Sequence, residues 1–155
     1  MGWQDLLKDA RQEISLADHI SFMTLPMVKD KNVFLNLLKH IDKSILTAIR
    51  AYLAKLNETK ELRIVPHSDE LTRRLFFESY TDRLMMSVDE IKTLKEIEKL
   101  VNAHNRSQMD LKRGEEYVMI LDNFKTVTVN ENRIKNYLNM AKNFIRMVGV
   151  KLENG

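Results

Sequence analysis

A chain of 155 residues with a net charge of +3, 44% hydrophobic and 30% charged residues, has the composition of a folded globular protein and not of a disordered one. The absence of cysteine excludes a disulfide scaffold and thiolate metal centres, and so small a net charge does not by itself argue for a nucleic-acid partner. Four glycines and two prolines are too few for a many-turned all-β fold and favour long helices.

The length predicts one domain over residues 1–155 with a sizeable core. The longest unbroken apolar run, Tyr117 to Leu121, is far short of the ~20 residues that a membrane span requires. Asp5, Asp9 and Glu13 stand where a signal peptide would need its positive and apolar regions. A soluble, cytoplasmic protein without a membrane partner is expected.

Trp3, Leu7, Ala10, Ile14 and Ala17 recur at helical spacing and predict a first helix with one apolar stripe. Past Ala17 the pattern spreads: Leu16, Ile20, Met23 and Met27 fall on one side, Phe22 and Leu25 on another, so this part is expected to be buried all round. Pro26 disfavours helical geometry at Leu25, and Asp30 is placed to cap a second helix. The short connection predicts an antiparallel hairpin of the two helices.

The second helix, Lys31 to Asn57, is the most informative stretch of the chain. At ~100° per residue its apolar side chains, from Val33 and Phe34 to Leu53 and Leu56, cover roughly 220° of its circumference. A surface helix needs about half of that, so neighbours must wrap this one, from its own chain or from a second copy. Asp42 falls inside the apolar arc. An unpartnered buried carboxylate costs several kcal/mol or takes up a proton, so a donor, an arginine or a helix cap, must reach it.

After a loop to His67, Ser68 caps a third helix with Asp69 and Glu70 in its first turn. It is expected to run to about Met86, with Phe76, Phe77, Tyr80 and Leu84 on one side and Leu71, Leu75 and Met86 on the other. Ser87 and Glu90 form a capping box for a fourth helix striped by Ile91, Leu94, Ile97, Leu100 and Val101. Gly114 marks a break. Tyr117 to Leu121 and Thr126 to Val129 then read as a β-hairpin closed by a four-residue loop. Asn130, or Thr128 with Glu131, caps the last helix, which buries Ile134, Tyr137, Leu138, Ala141, Phe144, Ile145 and Val148 and is expected to end at Gly149. The fold class is all-α: a bundle of about five helices with a small β-hairpin before the last.

No reaction motif is present. There is no Gly-x-Ser-x-Gly elbow, and glycines at positions 2, 114, 149 and 155 cannot form a phosphate cradle, so no nucleotide cofactor is expected. The four histidines, His19, His40, His67 and His104, match no metal-ligand spacing, and no metal is expected. His104 lies in line with Leu94, Ile97 and Val101 and reads as a core histidine, with acid–base duty as the alternative; His19 and His40 read as solvated. His104 and Asp42 are the candidates for catalysis. From Asn132 to Lys151 there is no acid, and Lys135, Asn139, Lys142 and Arg146 form a basic face that could track phosphates. Lys39, Lys43 and Arg50 give the second helix a narrower basic strip.

The runs Leu16-Ala17-Asp18-His19-Ile20 and Leu25-Pro26-Met27-Val28-Lys29-Asp30, the long helix that follows, and Tyr117-Val118-Met119-Ile120-Leu121-Asp122-Asn123-Phe124 before a final helix together resemble small archaeal all-helical proteins of unassigned function. The topology is also similar to the HEPN group of helical bundles, some of which are RNA nucleases. The arginine and histidine that signal that group, four to six residues apart, are not matched: Arg63 and His67 have three residues between them, Arg11 and His19 seven. The resemblance implies the scaffold and counts against nuclease activity. The expectation is a non-enzymatic protein acting through self-association, as a homodimer, or through protein–protein contact; the alternative is an RNA-associated bundle using the basic faces.

Overall fold

The computed structural model describes residues 2–27, 30–106, 111–113, 116–120 and 125–155, with the side chains of all of these but 104–106 and 111–113. The predicted Gly114 break, and Asp122, Asn123 and Phe124 of the predicted hairpin loop, lie outside the described residues. Five α-helices form the all-α bundle: α1 (Trp3–His19), α2 (Lys31–Glu58), α3 (Asp69–Ser79), α4 (Val88–Arg106) and α5 (Glu131–Asn154). Three short strands, β1 (Leu111–Arg113), β2 (Glu116–Ile120) and β3 (Thr126–Val129), form an antiparallel sheet in that order. Tyr117 is paired with Val129 and Leu111 with Val118. The sequence predicts two of these strands; β1 is too short and too polar, Leu-Lys-Arg, to carry a period-2 signal of its own.

α1 and α2 run antiparallel. Lys55, near the end of α2, lies 4.7 Å from the ring of Trp3 at the start of α1, and His40 bonds Glu13 between the two helices. Half of the residues of α2 are buried, on an arc of roughly 200°, and α1, α3, α4 and α5 all pack against it. Phe76 of α3, fully buried, meets Tyr52 of α2 edge-on at 5.7 Å and Phe144 of α5 at 5.6 Å. The sheet docks at the other end of α2, where Tyr117 stacks on Phe34 with ring centroids 3.9 Å apart. A single chain therefore covers its central helix.

The predicted caps are present because they are local hydrogen bonds. Asp30 accepts from the Asn32 amide at 2.6 Å and Ser68 from Leu71 at 3.1 Å. Ser87 and Glu90 exchange bonds, and Asn130 accepts from Arg133 at 2.9 Å. Arg133 also joins three elements: it donates to the Thr128 carbonyl of β3, to Glu96 of α4 and to the Tyr137 hydroxyl, which itself donates to Glu96.

Three boundaries differ from expectation. α3 stops at Ser79, after which Asp82–Leu84 turn as a 3₁₀ segment and Met85 takes a left-handed backbone conformation (φ 51°); Leu71, expected to be on a second buried side, is exposed. α5 continues past Gly149, which is buried within the helix beneath the Arg11 guanidinium, as a Cβ there would come within 2.6 Å of it. Leu25 keeps helical dihedrals ahead of Pro26, because α1 runs on into a π turn, Ile20–Thr24, in which the Leu25 amide donates to the Ile20 carbonyl five residues back.

α2 ends in a Schellman motif, with Glu61 donating to the Leu56 carbonyl and Lys60 to that of Asn57. Lys60 holds the left-handed position (φ 67°) that glycine occupies without strain. Lys60→Gly is expected to raise the unfolding free energy by about 0.5–1 kcal/mol, read as a higher denaturation midpoint at unchanged slope.

Candidate functional site

Two regions have features that the fold alone does not account for: a polar cleft over Asp42 and the tip of the α1–α2 hairpin.

Asp42 lies on the buried arc of α2 and is 8% exposed. Its donor is Arg73 of α3, 6% exposed, whose Nη2 reaches Asp42 Oδ2 at 2.7 Å. Glu98 of α4 stands 3.8 Å from Arg73 Nε. The pairing is single and not bidentate, and it leaves Asp42 Oδ1 and Arg73 Nη1 buried without a hydrogen-bond partner among the described residues. Burial pushes the Asp42 carboxyl above its ordinary value of 3.8, and the charge and hydrogen bond of Arg73 oppose that rise. Above the pair opens a cleft of about 510 Å³ between α2, α3 and α4, with Lys39 and Lys43 on one wall and Asp69, Glu70 and Asn102 opposite.

Sequence reading identifies Asp42 and its need for a donor but not the donor. A signal is nevertheless present: Arg73 stands three, four and seven residues before Phe76, Phe77 and Tyr80, on the apolar stripe of its helix. Glu98 falls between Leu94 and Val101 on the stripe of α4 in the same way. His104 belongs to α4, and its side chain lies outside the described residues. Among the described residues, no three His, Asp or Glu side chains gather as metal ligands.

His40, expected in solvent, is half-buried and bonded to Glu13 at 2.5 Å, since the α1–α2 contact is tight enough to draw the polar strip of α2 under α1. His19 and His67 are exposed. The basic candidates are largely drawn into pairs. Lys142 holds Asp18 at 2.6 Å, Arg50 pairs with Asp69, and Lys43 lies 3.9 Å from Glu13. Arg146 donates to Asn143, and Lys39, Lys135 and Asn139 are exposed.

At the hairpin tip the predicted all-round burial does not occur. The apolar pattern is real, but Leu16, Phe22, Met23 and Met27 are exposed, since no described element covers them. On one side Phe22, Leu25 and Pro26 line a cleft of about 390 Å³ together with Lys135, Asn139 and Lys142 of α5. On the other, Ile20 and Thr24 flank a groove with Val33, Asn36 and Lys39 of α2. No described helix is long and apolar enough to cross a membrane.

Removing one partner of a buried pair leaves the other charge uncompensated, so Asp42→Ala is expected to cost about 3 kcal/mol of stability, whereas Asp42→Leu combined with Arg73→Met is expected to be close to neutral. Urea titration of the singles and the double distinguishes this from additive behaviour. The folded state holds the Asp42 proton more tightly than the unfolded chain, so this group's contribution to stability is largest below pH 3.8 and declines as pH rises through the higher folded value. Asp42→Asn, which cannot ionise, is therefore expected to gain stability relative to the wild type as pH increases across that window.

The chain matches no protein-family model, no curated protein and no solved structure.

Proposed function

We propose that this protein acts by self-association, two copies meeting through the tips of their α1–α2 hairpins. The observation that carries this reading is the exposure of four large apolar side chains within twelve residues: Leu16 at 44%, Phe22 at 78%, Met23 at 48% and Met27 at 84%. Large exposed apolar side chains gathered in one short segment mark an interaction site more often than a solvated surface.

The charges beside the patch favour a second copy as the partner. The cleft that Phe22 lines carries Asp18 and Glu131 as well as Lys135 and Lys142, two charges of each sign. Such a surface is complementary to itself across a two-fold axis and offers little to a polyanion. The alternative, RNA along the basic faces of α2 and α5, has less support, since Lys142, Arg50 and Lys43 already face carboxylates within the chain.

Magnitude sets the regime. Burying a Phe or Met side chain contributes about 1.5–3 kcal/mol, and association costs on the order of 4–15 kcal/mol before any contact is made. Four partly exposed side chains from each copy give a gain of the same order as the cost. The dimer is therefore weak and concentration-dependent.

Sedimentation over a concentration series is expected to give a monomer–dimer equilibrium for the wild type. Phe22→Asp with Met27→Asp is expected to give a monomer with unchanged helical circular dichroism, as both side chains are solvated in the single chain. A wild type that stays monomeric throughout the series defeats the proposal, and retention of RNA lost on reversing Lys135 and Lys142 supports the alternative.

A further inference from the structure

Two side chains that line the cleft between α2, α3 and α4 each hold one buried polar atom without a partner among the described residues, and they are the two members of one charge pair. Asp42 Oδ1 is an acceptor and Arg73 Nη1 a donor. Buried polar groups in folded proteins are almost always satisfied, and an arginine cannot relieve the demand by losing its proton. Both residues line the cleft, each from a side chain that is about nine-tenths buried. The unmet pair therefore has a defined complement: one group that gives a hydrogen bond to Oδ1 and takes one from Nη1.

The surrounding charges restrict what that group can be. An anion would suit Nη1 but would meet Asp42 and Glu98; a cation would suit Oδ1 but would meet the Arg73 guanidinium. The rim repeats this balance, with Lys39 and Lys43 facing Asp69 and Glu70. Neither sign of charge is favoured. A neutral planar group with donor and acceptor side by side meets both demands, and a primary carboxamide carries them spread apart much as a guanidinium and a carboxylate do.

We propose that this cleft is a binding site for a small neutral ligand bearing a primary carboxamide, whose N–H donates to Asp42 Oδ1 and whose carbonyl accepts from Arg73 Nη1. Both atoms are shut off from solvent in the structure, so binding requires the pair to turn toward the cleft. The ion pair supplies the recognition. The site is independent of the hairpin tip and does not rest on the association proposed there.

Three nearly isosteric probes separate the possibilities: acetamide, acetate and acetamidinium, each titrated into isotopically labelled wild-type protein while backbone amide and arginine side-chain resonances are followed. Acetamide is expected to shift Asp42, Arg73 and Glu98 saturably, with a dissociation constant on the order of millimolar for so small a fragment, and the two ions about tenfold more weakly or not at all. Arg73→Lys, which keeps the charge but loses the fork, is expected to abolish the saturable shift. Acetate or acetamidinium binding as tightly as acetamide overturns the proposal, as does an absence of saturable shifts with all three. The comparison among probes on the wild type stands whether or not the lysine variant folds.

Discussion

The structure is organised by the need to cover α2. Roughly 200° of that helix is buried, and no single neighbour can shield so wide an arc. α1 lies along one side, where Ala10 and Ala17 on α1 and Ala48 and Ala51 on α2 are all buried, small residues that keep interaxial distances short. α3 contributes Phe76, which touches α2 and α5 at once. The sheet closes the remaining end through the stack of Tyr117 on Phe34. Two strands alone would be marginal in water; here the sheet is held by that stack and by Arg133, which links β3 to α4 and α5.

Features that depend on a few neighbouring residues were legible in the sequence, and features that depend on distant ones were not. Asp30, Ser68, Ser87 and Asn130 cap their helices because a cap needs only its own next three residues. The end of α3 depends on Met85 adopting a left-handed turn, an uncommon choice for a non-glycine residue that no local signal announces. Gly149 reads as a stop by composition, yet the packing of α5 carries the helix through it and Arg11 lies over the space that a side chain would fill. Asp42 was legible as an anomaly because helical periodicity places it in the apolar arc. Its partner was not, since nothing in one sequence says which of several arginines the fold will bring to it. The hairpin tip shows the same division: periodicity establishes that its surface is apolar on all sides, and only the tertiary arrangement shows that this surface is left uncovered.

The Asp42–Arg73 pair contributes less to stability than its short contact implies. Desolvation dominates the Asp42 carboxyl and outweighs the attraction of the guanidinium, and each partner retains an unsatisfied atom. What the pair does provide is position. α3 can slide or rotate on α2 only by burying a lone charge, so the register of the two helices is fixed even though neighbouring leucines and isoleucines would tolerate small shifts.

The π turn has a geometric consequence for the tip. Ile20–Thr24 takes an i to i+5 hydrogen bond, so this turn holds one residue more than an α-helical turn. Were the same residues to continue as regular α-helix, every side chain beyond the turn would swing by ~100° about the axis. Phe22 lines the cleft beside α5, while Ile20 and Thr24 flank the groove beside α2. The extra residue acts as a phase shifter: it sets which flank of the hairpin each side chain of the tip meets.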